Sequence, residues 1–268
     1  MLLVSELFIY PVKSLSGISV KEALVTERGF QHDRRWMLID EYNMFITQRD
    51  YPELALLQVT VQEQGLLIQH KHSGKSITIP FHHTKKDVIS VTIWDDTCHA
   101  ETISDEIDSW FSEILGSKCR LVYMPDNVRR EVDKNYATHN EVTGFSDGYP
   151  FLLIGQASVD HLNKLLEHPL PIQRFRPNIV FTGGIPHEED IMNHFKINDI
   201  NFYGVKLCAR CVITTVNHET GVKGREPLRT LATYRLNGNK ILFGQNLLHK
   251  GNGIVHTGDI IQMQSQQK

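Results

Sequence analysis

The sequence predicts a mainly β, α+β fold of barrel character with a few helices, and three observations carry that prediction. Short runs rich in β-branched and aromatic residues recur along the chain, parted by glycines and polar turns. Only two segments show the i, i+3, i+4 apolar spacing of a helix. Neither an internal repeat of about 20 to 50 residues nor a low-complexity linker interrupts the pattern.

The first strand runs from Leu2 to Tyr10 and is stopped by Pro11, which lacks the N–H a ladder needs. Ile18 to Thr26 and Arg35 to Asp40 read as further strands on either side of Gly29. Val59-Thr60-Val61 and Leu66-Leu67-Ile68 flank Gly65 as a hairpin, and Ser76 to Pro80 adds a strand. Val88 to Trp94 and His99 to Ile103 are joined through a tight connection at Asp95-Asp96-Thr97-Cys98. Ile107, Trp110, Phe111, Ile114 and Leu115 then form a helical stripe. Ser104 caps that helix, Asp105 and Glu106 suit its positive end, and Gly116 terminates it. Val159, Leu162, Leu165 and Leu166 predict a second helix over Gln156 to Glu167. Asn178 to Thr182, Ile200 to Leu207, Val212 to Val216, Phe243 to Leu248 and Ile254 to Met263 complete the strands. The polar stretch from Asn127 to Gly144, with Arg129 and Arg130, divides the chain into 1–125 and 126–268. The last five residues, from Gln264, read as a frayed tail.

Composition excludes several classes of function. The formal charge of −3, from 28 basic and 31 acidic residues without a dense basic run, argues against a nucleic-acid partner. Apolar residues at 41% and charged residues at 22% fit a globular protein rather than a disordered one. Apolar runs such as Phe151-Leu152-Leu153-Ile154 are far too short to span a bilayer. Met1 to Tyr10 reads as a strand rather than an export signal. The expectation is a cytoplasmic protein with no membrane partner.

The four cysteines are too few for a disulfide scaffold. Cys98 and Cys119 read as small buried hydrophobes, whereas Cys208-Ala209-Arg210-Cys211 puts two thiols three apart around a cation. A structural zinc site needs about four ligands, and no second cysteine pair or matched histidine pair accompanies this one; His218 alone does not complete it. A redox dithiol belongs at a strand-to-helix turn, but Val212-Ile213-Thr214-Thr215-Val216 reads as a strand. A thiolate ligand to a soft transition metal, favoured by the adjacent Arg210, is the third reading. These four residues alone leave it level with two packed cysteines.

The wider pattern resembles a known family. Leu207 to Val216, then Thr220-Gly221-Val222, Glu226-Pro227-Leu228 and Leu231, resemble the signature of the MOSC family, the C-terminal domain of molybdenum-cofactor sulfurases. Ile9-Tyr10-Pro11-Val12-Lys13-Ser14 and Asp33-Arg34-Arg35-Trp36 are similar to the N-terminal β-barrel domain that accompanies it. Ser146-Asp147 with Pro150-Phe151-Leu152-Leu153, Phe175-Arg176-Pro177-Asn178-Ile179-Val180, Phe243-Gly244-Gln245 and Gly258-Asp259 follow in the same order.

The resemblance implies an N-terminal β-barrel domain over 1–125 and a MOSC domain over 126–268, with a molybdenum–molybdopterin cofactor between them. Cys211 takes the position of the metal ligand, and Lys13, Arg34, Arg176, Asn178 and Arg210 fall at cofactor-binding positions. Asp147 lies in a loop beside the metal, where a carboxylate can shuttle protons or position substrate. The implied activity is that of the amidoxime-reducing group: reduction of small N-hydroxylated compounds, with detoxification of N-hydroxylated bases among its roles. Gly148 and Tyr149 replace the small hydroxyl residues of the mitochondrial relatives, a departure that bears on substrate preference. No clustered cysteines of ferredoxin type occur, so electrons are expected from a separate flavoprotein or ferredoxin-like donor. The alternative implied function is a non-catalytic cofactor carrier or sulfur-transfer module, with Cys211 holding the sulfur.

Overall fold

The computed structural model describes residues 1–82, 87–137 and 139–264. Seven strands close into a barrel in the order Phe151–Gly155, Ile179–Thr182, Leu2–Ile9, Ile260–Met263, His194–Ile197, Ile200–Ala209 and Lys240–Lys250, which pairs back to Phe151–Gly155. Six of the pairings are antiparallel and one, Phe151–Gly155 with Ile179–Thr182, is parallel. That parallel pair is crossed by helix α2 (Gln156–Leu165), as a parallel connection requires. The first strand belongs to this barrel, so the start of the chain is hydrogen-bonded to its last third.

Alternation along the strands builds two cores at once. Leu7 and Ile9, Phe151 and Leu153, and Ile179 and Phe181 point into the barrel with Phe195, Phe202 and Leu247. Phe8 and Tyr10, Leu152 and Ile154, and Val180 point outward into a second cluster with Val159, Leu162, Phe175, Leu231 and Phe243. Both faces of these strands are buried, which is why Phe151-Leu152-Leu153-Ile154 is apolar throughout rather than alternating. The outer layer is made by α2 and by a helix from Leu228 to Arg235, α3 in chain order after α1 (Asp105–Leu115).

Most of the remaining strands belong to the first half of the chain, and Gly253–His256 pairs back onto one of them, Glu22–Thr26. A four-stranded sheet orders Trp36–Ile39, Arg120–Tyr123, Asp96–Thr102 and Val88–Ile93, and a three-stranded meander runs Leu57–Gln62, Gly65–His70 and Ser76–Pro80. They share a core with α1, where Ile107, Phe111 and Leu115 pack on Trp36, Leu38, Leu66 and Ile79. Ser104 caps α1 by accepting from Ile107 N–H, and Gly116 closes it at φ 60°. Among the described residues no helix is long and apolar enough to cross a membrane.

Several segments depart from the sequence reading: strands Arg120–Tyr123, Phe151–Gly155 and His194–Ile197 were not predicted, and Ile254 to Met263 divides into Gly253–His256 and Ile260–Met263. Val212–Thr215 is a turn of 3-10 helix, not a strand. Its threonines bond backward, Thr214 Oγ1 to Cys211 O at 3.0 Å and Thr215 Oγ1 to Val212 O at 2.8 Å, and so favour a turn over a ladder. Helix α3 was not predicted, because it buries only Leu231 and shows no apolar stripe. Smaller shifts also occur. Ile18 to Thr26 divides into two strands, and Asp96 to Cys98 is strand rather than connection. Of the predicted tail, residues 265–268 lie outside the described residues.

Phe202 packs at the barrel centre, 5.4 Å from the Phe151 ring and 5.5 Å from Phe195. Phe202→Ala is expected to cost about 3–5 kcal/mol, read as a shift in urea midpoint at unchanged slope. Glu189, fully buried, accepts Ser158 Oγ at 2.7 Å while its other oxygen has no partner. Burial pushes its carboxyl up to about 7. The fold therefore binds a proton that the unfolded chain releases near 4.5, and this contribution to stability falls as pH rises from 4.5 to about 7. Glu189→Gln should remove that decline from a series of denaturation curves across this window.

Candidate functional site

A cleft of about 280 Å³ opens where the barrel meets the first half of the chain, and the sequence-predicted residues Lys13, Arg34, Asp147, Arg176, Asn178, Arg210 and Cys211 all line it. Most of them reach the cleft from segments that flank a strand or a short helix. Lys13 and Ser14 follow Leu2–Ile9, and Arg34 precedes Trp36–Ile39. Arg176 ends the 3-10 turn Ile172–Phe175, and Arg210 and Cys211 follow Ile200–Ala209.

Tyr10 organises one side. It is 1% exposed, and the guanidiniums of Arg34 and Arg176 each lie 4.3 Å from the centre of its ring. Both arginines have left-handed backbone, at φ 48° and 56°, as does Ser14 at 70°. Non-glycine residues adopt this conformation rarely, and three of them here turn the chain sharply at the cleft wall. Asp33 holds the Tyr10 N–H at 2.8 Å and Arg34 Nη1 at 2.6 Å. Asn178, 1% exposed, accepts from Arg34 Nη1 at 3.0 Å and from Leu152 N–H at 3.2 Å, and donates to Phe8 O at 3.2 Å. Asn178 thus orients Arg34 while tying two barrel strands together. Arg176 donates to Leu15 O at 2.6 Å and has no carboxylate within ion-pair distance among the described residues. Burial, and then the neighbouring Arg34, lower it to about 10.

The opposite side is the loop Gly144–Asp147. Phe145 N–H donates to Arg34 O at 2.7 Å, and a Cβ on Gly144 would lie 2.7 Å from that same oxygen, so only glycine lets the loop close here. Arg130, 4% exposed, donates to Gly144 O and Ser146 O and fixes the loop from behind. Lys13 Nζ donates to Phe145 O at 2.9 Å and Asp147 Oδ1 at 2.6 Å. Burial lowers the Lys13 ammonium and the Asp147 pair partly restores it. Desolvation would raise the Asp147 carboxyl, but Lys13, Arg49 and the Trp94 N–H outweigh it and hold it well below the usual carboxylate range.

The thiols sit at the third side. Arg210 donates to Cys208 Sγ at 2.9 Å and to Phe175 O at 2.6 Å, while its Nε is buried without a partner. Cys211, half-buried, accepts from Arg49 Nη2 at 3.3 Å. All four cysteines are free thiols. Among the described residues no three His, Cys, Asp or Glu converge as a metal site, which leaves the zinc reading without a ligand set.

Arg49 and Trp94 escaped the sequence reading. Arg49 belongs to a polar loop, Thr47-Gln48-Arg49-Asp50, without a periodic signal, and Trp94 reads as the end of a strand. Lys206 lines the cleft as well, 4.6 Å from the Tyr136 ring and 5.8 Å from Tyr149. Lys13, Arg34, Arg176, Lys206 and Arg210 face the cleft with Asp147 as its lining carboxylate, and Asp33 stands behind Arg34. Such a surplus of desolvated cations suits an anionic ligand, and guanidiniums suit phosphate in particular. The donor set fits a phosphate-bearing pterin, and Cys211 presents a thiol to the same cleft.

Asp33→Asn removes the countercharge of Arg34, whose side chain is 12% exposed. Stability should fall by about 3–5 kcal/mol in chemical denaturation. Asp33→Asn/Arg34→Gln should recover part of the loss, because position 34 then no longer holds a cation that has lost its countercharge.

Family models match at both ends: the MOSC N-terminal beta barrel domain over residues 1–118 and the MOSC domain over residues 140–262. The mouse protein "Mitochondrial amidoxime-reducing component 1" is 31% identical, across 98% of this chain and 82% of its own length. "Molybdenum cofactor sulfurase" from Oryza sativa subsp. japonica is 30% identical across 89% of this chain, but over only 31% of its own length. The crystal structure of YiiM from Geobacillus stearothermophilus superposes at a TM-score of 0.34, with 12% identity, over 44% of this chain and 55% of that one. The full-length matches, with both domain models in order, place this chain in the MOSC family.

Proposed function

We propose that the protein is a molybdenum-cofactor-dependent oxidoreductase that reduces N-hydroxylated compounds with electrons from a separate donor protein. One observation carries the reading: a half-buried thiol, Cys211, opens into the same cleft as Lys13, Arg34, Arg176 and Arg210, whose charges exceed the carboxylates beside them. The extent of the similarities supports a reductase over a carrier or sulfur-transfer module. The chain matches most of the amidoxime-reducing component and less than a third of the sulfurase.

When bound, the cofactor supplies two-electron chemistry at its metal, with Cys211 as the protein ligand. The net reaction takes R–NHOH, two protons and two electrons to R–NH2 and water. The protein's own residues hold, orient and exclude. Arg34 and Arg176, fixed against Tyr10, hold the phosphate from one side, with Lys13 as the ammonium opposite and Arg210 beside the thiols. Asp147 is kept ionised by Lys13 and Arg49, which makes it a poor proton donor at neutral pH. We therefore assign it to positioning, as the acceptor that aligns Lys13 Nζ and Trp94 Nε1.

Protein produced in a cofactor-competent host should contain about one molybdenum and one pterin per chain and reduce N-hydroxy-adenine with a chemical electron donor. Cys211→Ala should abolish turnover, and Cys208→Ala should retain most of it. Arg176→Ala should weaken pterin retention about tenfold to a hundredfold, the range of one charge-assisted hydrogen bond. Equal activity of wild type and Cys211→Ala would sink the reading. A persulfide on Cys211 by mass spectrometry, without turnover, would replace it with sulfur transfer.

A further inference from the structure

Two side chains that no cofactor-binding assignment uses, Arg49 and Trp94, stand beside the cleft against its lining residues Cys211 and Asp147. Trp94 is the first residue of the two-residue loop between Val88–Ile93 and Asp96–Thr102, where Ile93 pairs with Asp96. Its φ is 54°, a conformation that Gly, Asn and Asp reach readily and a bulky side chain does not. The side chain gains little burial in return, since Trp94 is 44% exposed. Neither turn chemistry nor core packing therefore favours tryptophan at this corner.

What surrounds the indole is more specific. Its Nε1 donates to Asp147 Oδ1 at 3.3 Å, its ring lies 5.0 Å from that of Phe45, and the Arg49 guanidinium stacks on it at 4.4 Å. Arg49 then reaches Cys211 Sγ at 3.3 Å and lies 3.9 Å from Asp147 Oδ2. The strained corner, the exposed ring and the guanidinium on the thiol form one connected unit, delivered by the first half of the chain to the reactive sulfur of the second.

We propose that Trp94 and Arg49, packed beside the cleft against Cys211 and Asp147, form a substrate-positioning wall, and that the wall selects flat, conjugated N-hydroxylated groups over small saturated ones. An exposed indole gives its stacking energy to a planar π-system and little to a substrate without a flat face. A guanidinium is a donor only, so Arg49 meets the oxygen of an N–O group and holds it beside Cys211. The inference rests on the reductase reading and adds to it the shape of the substrate.

The experiment compares N-hydroxy-adenine, which is flat, with hydroxylamine, which has no π-face, on the holo-protein. Trp94→Asn suits the left-handed corner, so its melting temperature should equal or exceed that of wild type, at unchanged molybdenum content. Its KM for N-hydroxy-adenine should rise about tenfold, while kcat/KM for hydroxylamine stays within about twofold. Trp94→Phe should restore most of the difference. Arg49→Gln should lower kcat with both substrates and Arg49→Lys should recover part of it. Calorimetric titration of N-hydroxy-adenine without any electron donor reads the same wall without turnover, and Trp94→Asn should bind about tenfold more weakly there. Unchanged binding in Trp94→Asn, or an equal loss for both substrates, overturns the proposal. If wild type binds N-hydroxy-adenine through Trp94 yet reduces neither compound, the reductase reading fails and the wall stands.

Discussion

Two guanidiniums rest on one buried phenol ring, and among the described residues only one of them has a carboxylate partner. Holding Arg34 and Arg176 each 4.3 Å from the centre of Tyr10 concentrates positive charge where water is scarce. Such charge is costly unless something compensates it. Asp33 compensates Arg34, the ring gives both a weak attraction, and carbonyl oxygens take single bonds. The balance is left open toward the cleft. The same field reaches outward to His218, which burial, Arg176 and Arg174 push down to about 4, so it stays neutral rather than adding another cation.

Placing those cations accounts for much of the local architecture. The alternation that points Leu7 and Ile9 into the barrel points Phe8 and Tyr10 out of it, toward α2 and α3. Left-handed backbone at Ser14, Arg34 and Arg176 then turns three chain segments toward that ring. Gly144 lets the Asp147 loop close on Arg34 O, and Arg130 holds the loop from behind. A one-residue slip of Leu2–Ile9 would exchange the inner and outer faces and bury Tyr10 in the barrel, leaving both arginines without their platform.

The parts legible in the sequence were those with a local signal. The stripe at Ile107, Phe111 and Leu115 with its Ser104 cap is α1 as read, and Phe175-Arg176-Pro177-Asn178 drew its meaning from an ordered family pattern. Where the signal was non-local, the reading went wrong or stopped. Val212-Ile213-Thr214-Thr215 has strand composition, but two threonine hydroxyls spend their bonds on carbonyls three residues back. Arg49 carries no local mark, because its meaning lies in a contact with Cys211, 162 residues away. Trp94 did carry one in hindsight: a bulky aromatic at a hairpin corner is a poor local choice, and such conflicts point to function.

The site is therefore a product of closure rather than of either half alone. Leu2–Ile9 is a barrel strand between Ile179–Thr182 and Ile260–Met263, so the first half cannot leave without opening the barrel. Lys13 and Arg34 are carried by the chain that leaves that strand and wraps back, while Cys211 and Arg176 come from the barrel itself. A thiol and the cations around it are then set at fixed separation by segments anchored to the closed barrel. The proposed chemistry at a soft metal needs that rigidity, because a ligand sulfur and anion-binding groups would have to meet one cofactor at once. Arg49 and Trp94 meet this frame through side chains, at Cys211 and Asp147.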